Sequence, residues 1–244
     1  IGCGRCELCR RGLAKHCRSR QTVGIVERDG VFADFVTLPV ANLHAIPDEL
    51  PDERAVFVEP LAAALQVLDQ VHIGPSDRVC VVGDGRLGLL IAQAVALAGS
   101  DLCVIGRHAE NLALLHGWGI RGTILSTSST AAEVGADRFD IVIEATGAGS
   151  GLGLARQLVR PAGTIVLKST FAGEPPAFDL TSLVVDEVQV VGSRCGPFVP
   201  AIRLLHEGRI HVDEMVQARY MLDDGLQAMK HAAQPGALKV LLRM

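Results

Sequence analysis

No run of eighteen or more apolar residues occurs anywhere in the 244 residues, so the sequence offers no membrane-spanning helix. No charged-then-apolar leader with a small-residue cleavage site precedes the first cysteine, and the expectation is a cytoplasmic protein. No internal repeat at a fixed period and no low-complexity tract appears, which argues against a solenoid or a disordered linker. A basic excess is missing too: the net charge is −4, against a general partner among nucleic acids or anionic membranes. The local cluster Arg5, Arg10, Arg11, Lys15, Arg18 and Arg20 reads as a solvated face. Residue 1 is Ile rather than Met, and no strand leads into Cys3, so the natural start is expected upstream.

With 49 % hydrophobic and 20 % charged residues, the chain has ordinary globular composition and is long enough for one large or two modest domains. Its first notable feature is IGCGRCELCRRGLAKHC. Two residues separate Cys3 from Cys6 and Cys6 from Cys9, and seven separate Cys9 from Cys17, so four thiolates can converge on one tetrahedral ion. Zinc suits four soft sulfur ligands, and a closed shell leaves no position for water, which makes the site structural. Two alternatives fit less well. A ferredoxin run would place its fourth cysteine after three residues and before a proline, whereas Arg18 follows Cys17. A disulfide cluster needs an oxidising compartment, and Cys80, Cys103 and Cys195 are scattered singly.

Beyond the lobe, TVGIVERDGVFADFVTLPVANLHAIPDEL is rich in Val, Phe, Thr and Leu and broken by Asp29-Gly30 and prolines, a texture that predicts short antiparallel strands. From Asp52 the chain turns alanine- and leucine-rich, predicting a helix through ERAVFVEPLAAALQVLDQV that links two domains. Strand and helix then alternate: RVCVV, a glycine-rich turn, LLIAQAVALAG, DLCVIG, ENLALLHG. FDIVIEATG, GTIVLKST and VQVVGSR are further Val/Ile runs without one-sided alternation, as strands covered on both faces require. This middle is an α/β doubly wound parallel sheet. The tail from Gly196 predicts a helix at VPAIRLLHEG, another at DDGLQAMKHAA and a closing strand at ALKVLLRM.

Gly83-Asp84-Gly85-Arg86-Leu87-Gly88 fits GxGxxG, a weak pattern alone that gains force from the strand before it and the helix after it. Gly83 would permit the tight turn, Gly85 the approach of a pyrophosphate, and Gly88 close packing of helix on strand, with the helix N-terminus facing the phosphates. The end of the second strand should choose the cofactor. An NAD site carries an acid there, but the sequence reads Gly106, Arg107, His108. Arg107 suits a 2′-phosphate through its fixed charge and bidentate geometry, favouring NADP over NAD. Ala145, Thr146 and Gly147 close another strand, where ligands of such sheets lie.

The order of parts, a four-cysteine lobe, FADFVTLP, VEPLAAAL and then VVGDGRLG, resembles the zinc-dependent medium-chain alcohol and polyol dehydrogenases over essentially the whole chain. The resemblance implies a partial GroES-like catalytic domain with the structural zinc lobe over 1–62, a dinucleotide-binding Rossmann domain over 63–195 and a C-terminal return to the catalytic domain over 196–244. It implies a structural zinc on Cys3, Cys6, Cys9 and Cys17, and it matches Glu59 to a protein ligand of the catalytic zinc. By its position alone Glu59 fits equally well as a helix-start carboxylate before Pro60. In this family the first two catalytic ligands, a cysteine and a GHE-type histidine, precede the cysteine lobe. None of the eight histidines here stands in that context; His16, His44, His72, His108, His116, His206, His211 and His231 are expected to be surface or packing residues rather than relocated ligands.

The mechanism so implied is that zinc lowers the pKa of a bound alcohol and hydride passes to the nicotinamide, giving an aldehyde or ketone. The partners implied are a small alcohol or aldehyde and a second copy of the chain, as dimer or tetramer, with strands such as GTIVLKST and VQVVGS available for pairing. With Glu59 as the one ligand of an incomplete catalytic site, these residues alone are expected to have little or no dehydrogenase activity. A noncatalytic NAD(P)-binding protein with a structural zinc lobe is the alternative.

Overall fold

The computed structural model describes residues 1–127, 129–170 and 178–244. Six parallel strands form its centre: β1 (Arg78–Val82), β2 (Asp101–Gly106), β3 (Thr123–Leu125), β4 (Phe139–Glu144), β5 (Val159–Leu167) and β6 (Gln189–Gly192), in the order β3-β2-β1-β4-β5-β6. Register is continuous from Arg78 opposite Asp101 to Val82 opposite Ile105, and from Val79 opposite Ile141 to Val82 opposite Glu144. Parallel strands need long crossovers, and helices supply most of them. These are α4 (Arg86–Ala96), α5 (Ala109–Gly117), α6 (Thr130–Val134), α7 (Gly149–Leu158) and α8 (Leu180–Val185), following α1 (Glu7–Arg10), α2 (Asp52–Ala55) and α3 (Val58–Gln70).

Helices on both faces explain the unbroken apolar runs. In β1, Val79 and Val81 join a core with Leu61, Leu65, Leu89 and Leu90, whereas Cys80 and Val82 join a second core with Ile105, Val142, Leu158 and Ile165. Successive residues point to opposite faces of a strand, so two cores demand apolar residues at every position. The strand order reverses between β1 and β4, and a crevice opens there at the carboxyl ends.

After α9 (Phe198–His206), β7 (Val216–Met221) and β8 (Lys239–Arg243) pair in parallel through α10 (Gly225–Ala232). Ion pairs fasten this unit to α2: Glu53 accepts from Arg219 Nε at 2.7 Å and from Arg243, and Asp213 accepts from Arg54 Nε at 2.7 Å.

Two expectations need adjustment, on the strands after the lobe and on the pairing strands. Residues 22–50 form an isolated antiparallel bridge between Thr22 and Val26 and a short helical turn at Val40–Asn42 instead of a set of strands, leaving Ile25 80 % and Phe35 93 % exposed. Apolar texture alone does not hold a strand: an isolated two-stranded pairing is marginal in water, and no ladder partner lies beside this stretch among the described residues. The helix expected to link two domains is α3, which runs from Val58 to Gln70 and spans residue 62. GTIVLKST is an interior strand, β5, so β6 is the one of the proposed pairing strands that presents a free edge.

Candidate functional site

The crevice between β1, β2 and β4 is a cleft of about 460 Å³, and the glycine-rich turn forms its floor. Gly83 adopts φ +122°, a region open to glycine, and its N–H donates to the Ile105 carbonyl at 2.8 Å. A side chain at Gly83 would also meet the Ala145 carbonyl oxygen at 2.7 Å. Gly85 is the N-cap of α4, carries no side-chain cap bond, and has open space where a Cβ would stand. The N-terminus of α4, with its unpartnered N–H groups and positive dipole end, thus faces a bare approach. At Gly88 a Cβ would lie 2.0 Å from the Gly83 carbonyl oxygen, so helix and turn touch backbone to backbone.

Gly106, Arg107 and His108 form the wall at the end of β2. Arg107 is exposed and makes no ion pair among the described residues. His108 is the N-cap of α5, tied by its N–H to Asp84 Oδ2 at 2.6 Å. Opposite, Glu144 is buried and accepts from Thr146 N–H at 2.7 Å, Thr146 Oγ1 at 2.6 Å and Ser169 Oγ at 3.2 Å. Ser169 Oγ accepts in turn from Gly147 N–H at 2.7 Å. One buried carboxylate therefore shapes the turn through Ala145, Thr146 and Gly147.

A second cavity of about 750 Å³ adjoins this turn and brings together Glu59, Arg86, Leu87, Lys168, Cys195 and Lys239. Glu59 stands exposed in the first turn of α3. Among the described residues no histidine or cysteine pair joins it as a metal-binding group. A catalytic zinc needs about three protein ligands, so the residues around Glu59 do not by themselves fit one.

The two lysines were not anticipated. Lys168, 8 % exposed, donates to the Ala63 carbonyl at 2.6 Å, the Arg194 carbonyl at 2.7 Å and Ser193 Oγ at 3.3 Å. Burial pulls its ammonium down to about 8. A charge ending an otherwise apolar strand run, IVLK, was its signal. Lys239 lies 5.1 Å from the Phe57 ring centre, and burial, reinforced by Arg86, lowers its pKa while Glu59 opposes.

The four lobe sulfurs lie within 4.8 Å of one another, the one such metal-binding group among the described residues. Sulfurs about 2.3 Å from a tetrahedral zinc stand about 3.8 Å apart, and the Cys6 and Cys17 sulfurs are 3.8 Å apart. Backbone N–H groups of Cys3 and Cys9 point to the sulfurs of Cys17 and Cys6, each at 3.5 Å. N–H donors at Arg5 and Cys6 draw the Cys3 thiol down to about 6, whereas burial, with the neighbouring thiols adding to it, raises Cys9 to about 11. The donor set fits zinc. The lobe docks beside the second cavity, where Lys15 Nζ donates to Gln66 Oε1 at 3.1 Å and to the Cys195 carbonyl at 3.0 Å.

Comparison with known proteins gives the family and the fold. Residues 87–207 match the zinc-binding dehydrogenase family. A zinc-binding dehydrogenase from Sinorhizobium meliloti 1021, solved with NADP, superposes with a TM-score of 0.91 at 30 % identity, covering 100 % of this chain and 74 % of that one. A short chain alcohol dehydrogenase from Escherichia coli CFT073, complexed with NADH, gives a TM-score of 0.89 at 26 % identity over 100 % and 74 %. A sorbitol dehydrogenase from Halalkalibacterium halodurans is 29 % identical over 98 % of this chain and 73 % of its own length.

Proposed function

We propose that this chain, which belongs to the zinc-binding dehydrogenase family, binds NADP in preference to NAD and supplies the cofactor-binding part of an enzyme that moves hydride between that cofactor and a polyol-type alcohol. The observation that carries the reading is the bare N-terminus of α4 behind Gly85, continuous with the cleft that Gly106 and Arg107 border. The pyrophosphate would lie on the α4 N–H groups, with Arg86, Leu87 and Lys239 beside it. Arg107 and His108 would take the adenosine ribose, with Arg107 matched to a 2′-phosphate. Ala145, Thr146 and Gly147, held by Glu144, would line the passage to the nicotinamide. When bound, the dinucleotide supplies the hydride acceptor.

Cys3, Cys6, Cys9 and Cys17 would hold a structural zinc that keeps Lys15 against the loop at Cys195. Glu59 would be one ligand of the catalytic zinc. The described residues bring Glu59 no companion ligands for that ion. Residues 1–62 and 196–244 would belong to the catalytic part, and residues 63–195 to the dinucleotide part. The free edge of β6, with Val190 exposed, would form the seam of a homo-oligomer. Among the described residues no helix is long and apolar enough to cross a membrane.

Calorimetric titration of the zinc-loaded chain with NADP and NAD, beside steady-state assays on sorbitol and other polyols, tests the reading. NADP is expected to bind at least about tenfold tighter than NAD, a difference of about 1.4 kcal/mol. Turnover by these residues alone is expected near background. Robust zinc-dependent polyol oxidation would show that ligands beyond those beside Glu59 complete the site. Cofactor binding that persists without turnover, even with ligands restored, would favour the noncatalytic reading instead.

A further inference from the structure

The dinucleotide cleft contains a carboxylate that the proposed function does not use. Asp84, between the first two glycines of the turn, is 4 % exposed. Its Oδ2 accepts from the His108 N–H at 2.6 Å, and its two oxygens lie 3.1 and 3.2 Å from His108 Nδ1. Its backbone carbonyl accepts from Asn111 Nδ2 at 3.0 Å. Asp84 therefore reaches across from the β1 turn and holds His108, the residue at which α5 begins, where a carboxylate is favoured by the helix dipole.

That reach crosses Gly106. A Cβ built on Gly106 would lie 2.5 Å from each of Asp84 Cβ, Cγ and Oδ2, closer than nonbonded carbon tolerates. Gly106 does not adopt a positive φ, so its backbone is open to any residue. What excludes a side chain at 106 is Asp84. In a dinucleotide fold, the end of β2 is where an acid would accept from the ribose 2′-hydroxyl of NAD.

We propose that Asp84 is a specificity-determining residue of the cofactor site: committed to His108, it fills the space an acid at 106 would need, and it leaves Arg107 as the charged side chain at the ribose. The inference deepens the NADP reading and rests on it. It makes cofactor choice a property of the pair Asp84 and Gly106, so that a change at the end of β2 alone cannot convert the site. The Asp84 oxygens are turned to the His108 N–H and ring, so the hydrogen-bonding capacity of the carboxylate is taken up inside the turn.

The test uses the zinc-loaded full chain and four proteins: wild type, Gly106→Asp, Asp84→Gly and the double variant, each titrated calorimetrically with NADP and NAD and melted. Gly106→Asp is expected to lose at least tenfold in NADP affinity and gain none for NAD. The double variant is expected to bind NAD at least tenfold tighter than Gly106→Asp does. Gly106→Asp binding NAD as tightly as the double variant would overturn the proposal, as would a double variant no better than the single one. If Gly106→Asp does not fold, Gly106→Ala decides through melting alone. It should lower the melting temperature in the wild-type background and not in the Asp84→Gly background; equal effects in both would overturn the proposal. A wild type that prefers NAD would refute the NADP reading, and the melting comparison would still report separately on whether Asp84 excludes a side chain at 106.

Discussion

Alanine at Gly85 or Gly88 adds the same methyl group to one turn, three residues apart, and the surrounding atoms separate the consequences. At Gly88 the methyl carbon would stand 2.0 Å from the Gly83 carbonyl oxygen and 2.8 Å from its carbon. That carbonyl cannot swing away easily, because Gly83 N–H is bonded to Ile105 at 2.8 Å. Nor can α4 retreat without lifting the fully buried Leu89, Leu90 and Ile91 out of the core. Overpacking costs about 1–3 kcal/mol, and a clash with fixed backbone belongs at the upper end, about 3 kcal/mol. For a chain of this size each kcal/mol moves the melting temperature by about 2–4 °C, so a fall of about 6–12 °C is expected.

Gly85, with φ −76° and ψ −178°, has an extended conformation that alanine adopts freely, and nothing lies within 4 Å. Alanine caps a helix less well than glycine by about 1 kcal/mol. The stiffer unfolded chain returns about 0.4–1 kcal/mol, leaving melting nearly unchanged. Its methyl instead occupies the approach to the α4 N-terminus, and NADP affinity should fall at least about tenfold, about 1.4 kcal/mol. Circular dichroism melts and calorimetric titrations read the two effects separately. The reasoning is refuted if Gly88→Ala melts like wild type, or if Gly85→Ala binds NADP like wild type.

Other consequences are open to the same kind of check. Neither α1 nor the short helical turn after it buries a residue, so the lobe depends on its metal; Cys17→Ala should take the zinc content from about one per chain toward none and open residues 1–20 to proteolysis. Arg107→Leu should weaken NADP binding by about tenfold or more while changing NAD binding little, read by calorimetry. Arg219 and Arg243 hold the Glu53 carboxyl at about 2 instead of 4.5. Because the folded-state value is the lower one, the stabilisation is complete above 4.5 and is lost as pH falls from there toward 2. Melting temperature followed through that window should therefore fall less steeply for Glu53→Gln than for wild type.

Much of this arrangement was legible because its signals are local. The lobe cysteines lie within fifteen residues of chain, and the turn from Gly83 to Gly88 is framed by the strand and helix that give it meaning. Other parts were hidden for physical reasons. β3 spans three residues, Thr123–Leu125, too few for a pattern, and β7 alternates half-buried residues with polar Gln217 and Arg219. Residues 22–50 carry strand-like composition, but a strand also needs a partner, and composition does not report one. Lys168 acquires its role from a carbonyl 105 positions away, at Ala63. Asp84 occupies a position that GxGxxG leaves unspecified, and its importance follows from the missing side chain at Gly106, visible only when the turn and the end of β2 are brought together.

The central claim is that a dinucleotide lies across the carboxyl ends of β1, β2 and β4 with its phosphates on the N-terminus of α4. Amide hydrogen exchange on the zinc-loaded chain, with and without saturating NADP, tests it most directly. The account predicts new protection concentrated at residues 83–89, 106–108 and 145–147. Protection absent from all three segments, or found only elsewhere, would contradict it.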